Sequence, residues 1–373
     1  MERAAPPGQS RRIHLPGECH GDRNDVCSKR NRWGGGVMNI NAEASQKAGA
    51  GIAIVVPVFN DWDSLRILIA ELARSLADET GPVHLLVVDD GSTEADTGFA
   101  EALAETGIEG TLVRLVRNVG HQRAIAIGLC HAVRTPAEAI VIMDGDGEDR
   151  PQDVPLLLRA LRVNAGSIVV AERGRRSEGL RFTLFYRLYR QIFSLLTGTQ
   201  ITFGNFSAMD RAVARRLTAM HELLLHVPAT MLRSRCPIIR VAADRGHRFA
   251  GLSKMNLVSL VVHGLSSVAV FSERTFTRIL LFSAGMFGLS ALATAVAVIM
   301  KLAGLATPGW ATTVAGILMI VLVQNAAVAL GGLFVVLNNN RDFALIPSEM
   351  ADVFVAETRT IGASLERRIS RSE

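Results

Sequence analysis

Apolar and polar positions divide this chain into three regimes. Residues 1–50, with "AAPPGQSRR" and "RNRWGGGV", show no hydrophobic period and are rich in loop formers, so a disordered N-terminal extension is expected there. From residue 51 onward, short apolar runs alternate with runs of helical period. "IAIVVPV" (52–58), "VHLLVVDD" (83–90), "TLVRLV" (111–116) and "AIVIM" (139–143) read as strands. "DSLRILIAELARSLADE" carries Leu65, Leu68, Ile69, Leu72 and Leu76 on one helical face, with Asp63 or Ser64 as N-cap. A further helix is expected around 122–132. Strands alternating with helices predict an α/β fold built on a mainly parallel sheet.

The third regime is more apolar. Ile279–Met300 and Trp310–Leu337 contain no Asp, Glu, Lys or Arg, and each is long enough for a hydrocarbon core that needs about 20 apolar residues. They read as two transmembrane helices. "MNLVSLVVHGLSSVAVFS" (255–272) carries Asn256, Ser259, His263, Ser266 and Ser267 at helical spacing, which suits a helix lying in the membrane interface. Arg274 and Arg278 precede the first span and Arg341, Arg359, Arg367, Arg368 and Arg371 follow the second, while the loop between offers Lys301. The positive-inside bias puts both ends on the cytoplasmic side, leaving 341–373 as a cytoplasmic tail.

Charge changes this picture more than composition does. Residues 51–171 hold nine Lys and Arg against eighteen Asp and Glu, whereas residues 172–254 hold fifteen against five. A basic stretch before a membrane anchor can hold anionic phosphate, or it can be a solvated surface. The four cysteines, Cys19, Cys27, Cys130 and Cys236, have neither metal-site spacing nor the density of a disulfide scaffold.

In sheets of this kind ligands bind beyond the carboxyl ends of the strands, where Asp61, Asp89, Asp90 and Arg117 fall. "VVDDGST" can accept bonds from a base or ribose, or it can cap and turn the chain. No G-x-G-x-x-G follows the first strand, which disfavours a dinucleotide fold. In "MDGDGEDRPQD", Asp144, Asp146, Glu148 and Asp149 lie within six positions. Carboxylates this close repel unless a cation sits among them. Asp144 and Asp146, two apart in an extended segment, are hard oxygen ligands suited to Mg²⁺ or Mn²⁺, an ion that shares its shell with substrate phosphates.

The ordered set "VVPVFND", "VVDDGST", "RNVGHQRAIAIGL", "MDGDGEDRPQD", "FGNFSAMD" and "RFAGLSK", followed by two apolar spans, resembles the polyisoprenyl-phosphate glycosyltransferases. These are family-2 inverting enzymes of GT-A fold, related to dolichol-phosphate mannose synthase. The resemblance covers roughly residues 51–340, and it implies a cytoplasmic GT-A catalytic domain over 51–254, an interfacial helix over 255–275 and two membrane helices within 276–340. It implies Pro57, Asp61, Asp89, Asp90 and Arg117 around the nucleotide, Asp144 and Asp146 as the metal-bearing D-x-D pair, and Glu148 where the family usually has Gln. Asp149 and Asp146 are the implied catalytic carboxylates, with Glu148 a third candidate metal ligand. Arg173 and Arg187 fall where the family binds the lipid phosphate, and Arg248 and Lys254 where a loop closes over the diphosphate. Phe59, Asp61 and Asn205 depart from the residues most common in the family.

The implied reaction moves one sugar from a nucleotide sugar, UDP- ahead of GDP-linked, to polyprenyl phosphate at the inner membrane, for cell-envelope glycan or lipid modification. Nucleic acid is not expected as a partner, and a homo-oligomer assembled through the spans is consistent with the family. A lipid-alcohol or polysaccharide acceptor is the alternative within enzymes, although no Q-x-x-R-W of processive synthases follows the D-x-D. A non-catalytic sugar-nucleotide-binding subunit is the alternative outside them.

Overall fold

The structure, a computed structural model, describes residues 51–96, 98–173, 190–250, 257–305, 309–339 and 345–362. Eight strands form one mixed, mainly parallel sheet: β1 (Ile52–Val58), β2 (Val83–Asp89), β3 (Glu109–Leu115), β4 (Ala139–Ile142), β5 (Ile168–Arg173), β6 (Ser207–Asp210), β7 (Ile238–Ala243) and β8 (Val355–Ile361). Their order is β7-β5-β6-β4-β1-β2-β3-β8. β3, β2, β1 and β4 run parallel, and β6 is antiparallel to both β4 and β5. The four strands expected from the sequence are the sheet's centre.

Successive residues of β1 supply opposite faces. Ala53 and Val55 join Ile125, Leu129 and Leu217 on one side, and Ile54 and Val56 join Leu65, Leu68, Leu72, Leu157 and Leu161 on the other. All seven β1 residues are buried, as continuous apolar runs in a two-faced parallel sheet require. Helix α1 (Trp62–Ser75) buries the Leu65, Leu68, Ile69 and Leu72 stripe, and α2 (Phe99–Thr106) follows β2. Helix α1 starts at Trp62, with Asp61 rather than Asp63 or Ser64 at the cap position. Asp61 makes no side-chain capping bond because its carboxylate is used elsewhere. Helix α3 (His121–Ala132) lies against β1 and β2. Gly128 permits this, since a Cβ there would sit 2.5 Å from Val55 Cγ1. Helices α4 (Val154–Val163), α5 (Arg211–Thr218) and α6 (Val227–Arg233) complete the cover, and residues 190–197 are also helical.

Helix α7 (Leu257–Ala269) has 13 residues, about 20 Å at 1.5 Å per residue, so it falls short of a membrane core of about 30 Å. Helices α8 (Ser272–Leu302) and α9 (Trp310–Asn339) have 31 and 30 residues and form a pair. Both contain windows long and apolar enough to cross a membrane, and 11% and 0% of those windows is buried in the protein. Ser283, Ser290 and Ala297 of α8, seven apart, are among its few buried positions, and small residues at such a seam let helix backbones approach.

The chain then returns to the sheet. The segment expected to trail behind the second span supplies β8, an antiparallel edge strand on β3 pairing Gly110 with Ile361 and Val113 with Thr358. Its side chains are mostly exposed. It lacks the apolar run that identifies central strands, and the pairing depends on the edge that β3 offers.

Candidate active site

β1, β2, β3 and β4 end at one rim of the sheet, and each continues into a polar loop. After β4, Asp144 and Asp146 are about a quarter exposed (26% and 23%). Asp149 is buried, and its Oδ2 accepts the Asp144 backbone N–H at 2.8 Å. Asp146 Oδ1 accepts the Glu148 N–H at 3.0 Å, so two of the four carboxylates fold the loop that bears them. Burial pushes the Asp146 pKa up; the Glu148 N–H opposes the shift, Asp144 and Glu148 reinforce it, and Arg248 opposes it. Gly145 lets this loop lie on the end of β1, where a Cβ would meet Val56 Cγ1 at 3.1 Å and Pro57 O at 3.4 Å.

The loop after β2 serves as the frame. Asp89 is fully buried, accepting the Ser92 N–H at 2.8 Å and Arg114 Nε at 2.9 Å. Asp90 accepts the N–H groups of Val119 and Gly120 at 2.7 and 3.0 Å; burial raises its pKa, against those two bonds. The capping and turning use of "VVDDGST" is therefore seen directly. Gly91, at φ +71°, brings this turn against the backbone of Arg117 and Asn118, and the Arg117 side chain is exposed above it. Asn60, at φ +48°, joins the first loop to the second by accepting the Thr93 and Glu94 N–H groups.

The loop after β7 closes the rim. Arg248 donates to Asp61 Oδ2 at 2.6 Å and to Asp146 Oδ2 at 3.1 Å, joining carboxylates 85 positions apart in the chain. Arg245 donates to Glu148 Oε2 at 2.5 Å, so Glu148 faces an arginine. Phe249 N–H donates to Asp146 O at 2.9 Å and Gly246 N–H to Glu148 O at 3.0 Å. Gly147, at φ +90°, has the Phe249 ring where a Cβ would stand, 2.6 Å away.

A cluster of histidine and amide side chains stands on the other flank. His121 Nε2 lies 3.2 Å from Asp144 Oδ1 and 3.1 Å from Asn205 Nδ2. Burial lowers the His121 pKa, but Asp144, with Asp146 and Asp90 behind it, outweighs this and raises it. Gln122 donates to Asn205 Oδ1 at 3.1 Å and accepts the Val227 N–H at 2.7 Å. His226, buried, accepts the Ala229 N–H at the start of α6 and lies 3.1 Å from His263 of α7, nitrogen to nitrogen. In sequence a lone His is more often a structural residue, and nothing in the spacing of His226 and His263 announces their contact. Arg245 had a usable signal, a second arginine in the basic loop opposite an acidic one.

Asp61, Asp144, Asp146, Glu148 and Arg248 thus come together at one rim, with Asp89, Asp90 and Asp149 beneath them and Pro57 in the β1 wall. Arg173 closes β5. Arg187 and Lys254 lie outside the described residues.

A mainly parallel sheet with an acidic loop after its fourth strand and an arginine loop closing over it defines an α/β domain with a charged, partly exposed rim. Residues 53–218 match the family model described as Glycosyl transferase family 2. It is 28% identical over 243 residues to a bactoprenol glucosyl transferase of Shigella phage SfX, covering 63% of this chain and 78% of that one. It is 27% identical over 216 residues to an undecaprenyl-phosphate 4-deoxy-4-formamido-L-arabinose transferase of Sodalis glossinidius, covering 56% and 64%. Among solved structures, glucosyl-3-phosphoglycerate synthase of Mycobacterium tuberculosis with Mn²⁺, uridine diphosphate and glucosyl-3-phosphoglycerate aligns at 21% identity and a TM-score of 0.44, over 65% of this chain and 86% of that one.

Proposed function

We propose that this protein transfers one sugar from a nucleotide sugar to a polyprenyl phosphate at the membrane surface, with inversion at the anomeric carbon. The reading is carried by the arginine loop closing on the carboxylate loop at the sheet rim, in a chain that continues into two long apolar helices. Relatives named for bactoprenol and for undecaprenyl phosphate support the acceptor class.

The donor set fits a hard divalent cation. Asp144 and Asp146 present carboxylate oxygens at a partly exposed rim, and the Asp146 pKa is raised by burial first and by Asp144 and Glu148 after it, which a neighbouring cation would offset. Among the described residues no three His, Cys, Asp or Glu side chains converge on one point. Asp144 and Asp146 would therefore share Mg²⁺ or Mn²⁺ with donor phosphates and water, with Glu148 held by Arg245 at the loop's edge. Such an ion supplies neutralisation of the departing diphosphate.

The chain's own residues do the rest. Arg248 and Lys254 grip the nucleoside diphosphate, a UDP-sugar ahead of a GDP-sugar, while Asp61, Arg117 and the Pro57 wall bound the nucleotide. Asp89, Asp90 and Asp149 act as positioning residues through the loops they brace. Arg173 and Arg187 hold the acceptor phosphate. With its second pKa near 6, the phosphate is already a dianion and needs no strong base. One of its oxygens attacks the anomeric carbon, the bond to the diphosphate breaks, and the electron pair leaves with the nucleoside diphosphate. Arg274 and Arg278 in the first turns of α8, against Lys301 in its last turn, support a cytoplasmic position for the catalytic domain.

The test is nucleoside diphosphate release by the detergent-solubilised chain, across UDP- and GDP-sugars, with Mg²⁺ or Mn²⁺, with and without undecaprenyl phosphate. Release requiring both metal and lipid phosphate, and lost in Asp146→Ala, is the expected result. Release with a lipid alcohol or glycan but not with lipid phosphate would replace the acceptor. Binding without release in every condition would refute transfer.

A further inference from the structure

A cleft of about 640 Å³ opens between the helical residues 190–197 and the foot of α8, away from the carboxylate rim, lined in part by Arg190, Ser194, Gln200 and Arg278. Its two guanidiniums are held by neutral groups. Arg278 Nη1 donates to the backbone carbonyls of Leu195 at 2.5 Å and Ser194 at 3.3 Å, capping the end of that helix. Gly198, at φ +71°, leaves room for the Arg278 guanidinium where a Cβ would collide with it. Arg190 Nη2 donates to Gln200 Oε1 at 3.2 Å. Among the described residues, no carboxylate lies within ion-pair distance of either arginine. An arginine has five N–H donors, so both keep donors directed beyond these bonds.

The position of the cleft along the chain narrows its ligand. Arg278 is the last charged residue before the uncharged stretch 279–300, which puts it at headgroup depth if α8 spans the bilayer. The flanking surface is apolar: Leu195 is 73% exposed, and Leu281 and Phe282, the next outward residues of α8, are 67% and 70% exposed. Two preset guanidiniums above an apolar wall match a phosphate with acyl chains beneath it, and Arg suits phosphate because its planar fork donates two bonds at once. Free phosphate would have no use for the wall.

We infer that the Arg190–Arg278 cleft is a binding site for the phosphate headgroup of an anionic bilayer lipid, one that sets the depth at which the catalytic domain rides on the membrane. The inference rests on the reading of α8 and α9 as spans. It is independent of which sugar is transferred.

The experiment is native mass spectrometry of the full chain released from nanodiscs of equimolar phosphatidylglycerol and phosphatidylcholine. The expected result is preferential retention of phosphatidylglycerol, reduced about fivefold by Arg190→Gln and about fivefold by Arg278→Gln, as a loss of about 1 kcal/mol per surface arginine converts. Arg190→Lys should keep most of the preference. Because Arg278 also caps a helix, Arg190→Gln is the decisive variant. Reconstitution with no lipid preference, or a preference untouched by Arg190→Gln, overturns the site and leaves the spans standing. Displacement of the retained lipid by inorganic phosphate, or by one equivalent of undecaprenyl phosphate, also overturns it by assigning the cleft to a free anion or to the acceptor. Failure to enter nanodiscs at all would sink the spans and the site with them.

Discussion

Arg248 connects two carboxylates that the chain separates widely, and it does so with different nitrogens of one planar group. A lysine has one compact charge and lacks the planar fork whose separate nitrogens meet the two carboxylates. Arg248→Lys should lower kcat/KM for nucleoside diphosphate release by tenfold or more while moving the melting temperature little; unchanged kinetics would remove Arg248 from the site. Gly147 is constrained twice, by φ +90° and by the Phe249 ring. Gly147→Ala should cost about 1–3 kcal/mol and loosen the arginine loop, read as a raised KM for the donor. His226 is pulled down to about 3 by burial, with His263 adding to the effect. The unfolded chain takes up this proton near pH 6.5 and the folded one resists until about 3, so this contribution to stability is complete above 6.5 and shrinks as pH falls toward 3. Thermal midpoints measured from pH 7.5 down to 5 should decline, and His226→Asn, which keeps a capping oxygen but does not titrate, should flatten part of the slope. An identical slope in that variant would assign the decline to other groups.

Among the elements, β8 shows how a weakly patterned segment can be essential to a sheet. It covers the edge of β3, whose Leu112 and Val113 are buried, and its Glu357 lies 3.9 Å from Arg114, the residue that also holds Asp89. Arg359 further pairs with Asp96. The exposed charge pairs contribute little individually; covering the edge and its backbone groups matters more. Deleting residues 355–373 should lower the melting temperature by roughly 4–8 °C, which corresponds to about 2 kcal/mol for a domain of this size, and should promote aggregation. An unshifted midpoint would show that β3 tolerates a bare edge. α7 is the counterpart at the other end of the apolar pair, fastened through His263 to His226 and followed by the Arg233–Glu273 contact at 3.3 Å.

At the scale of the molecule, both ends of the α8–α9 pair are therefore anchored to one sheet domain, through α7 on one side and β8 on the other. On the proposed reading of α8 and α9 as spans, two anchors on the same body put the α8–α9 loop across the bilayer from the domain. Leu305, 73% exposed in that loop, offers the test. In intact spheroplasts a Leu305→Cys variant should react with a membrane-impermeant maleimide, whereas Asp352→Cys, on the domain side, should react only after permeabilisation. Reaction of both or neither in intact cells would contradict the hairpin.

What the sequence determined by itself was whatever is written in local period and local charge density. The four central strands, the buried stripe of α1, the two long apolar helices and the carboxylate cluster after β4 are each contained in a short window, because burial on both faces or in lipid demands continuous apolar residues and a strand-end loop concentrates its polar ones. The tertiary structure decided which of those polar groups meet. Asp89, which the resemblance puts at the nucleotide, and Asp149, which it makes a catalytic carboxylate, accept bonds that brace the loops around them. Arg245, His121 and His226 find partners from distant segments, and β8 finds its place from an edge 240 residues earlier. Those pairings depend on loop closure and on the geometry of the rim, and neither has a period that a linear pattern can carry.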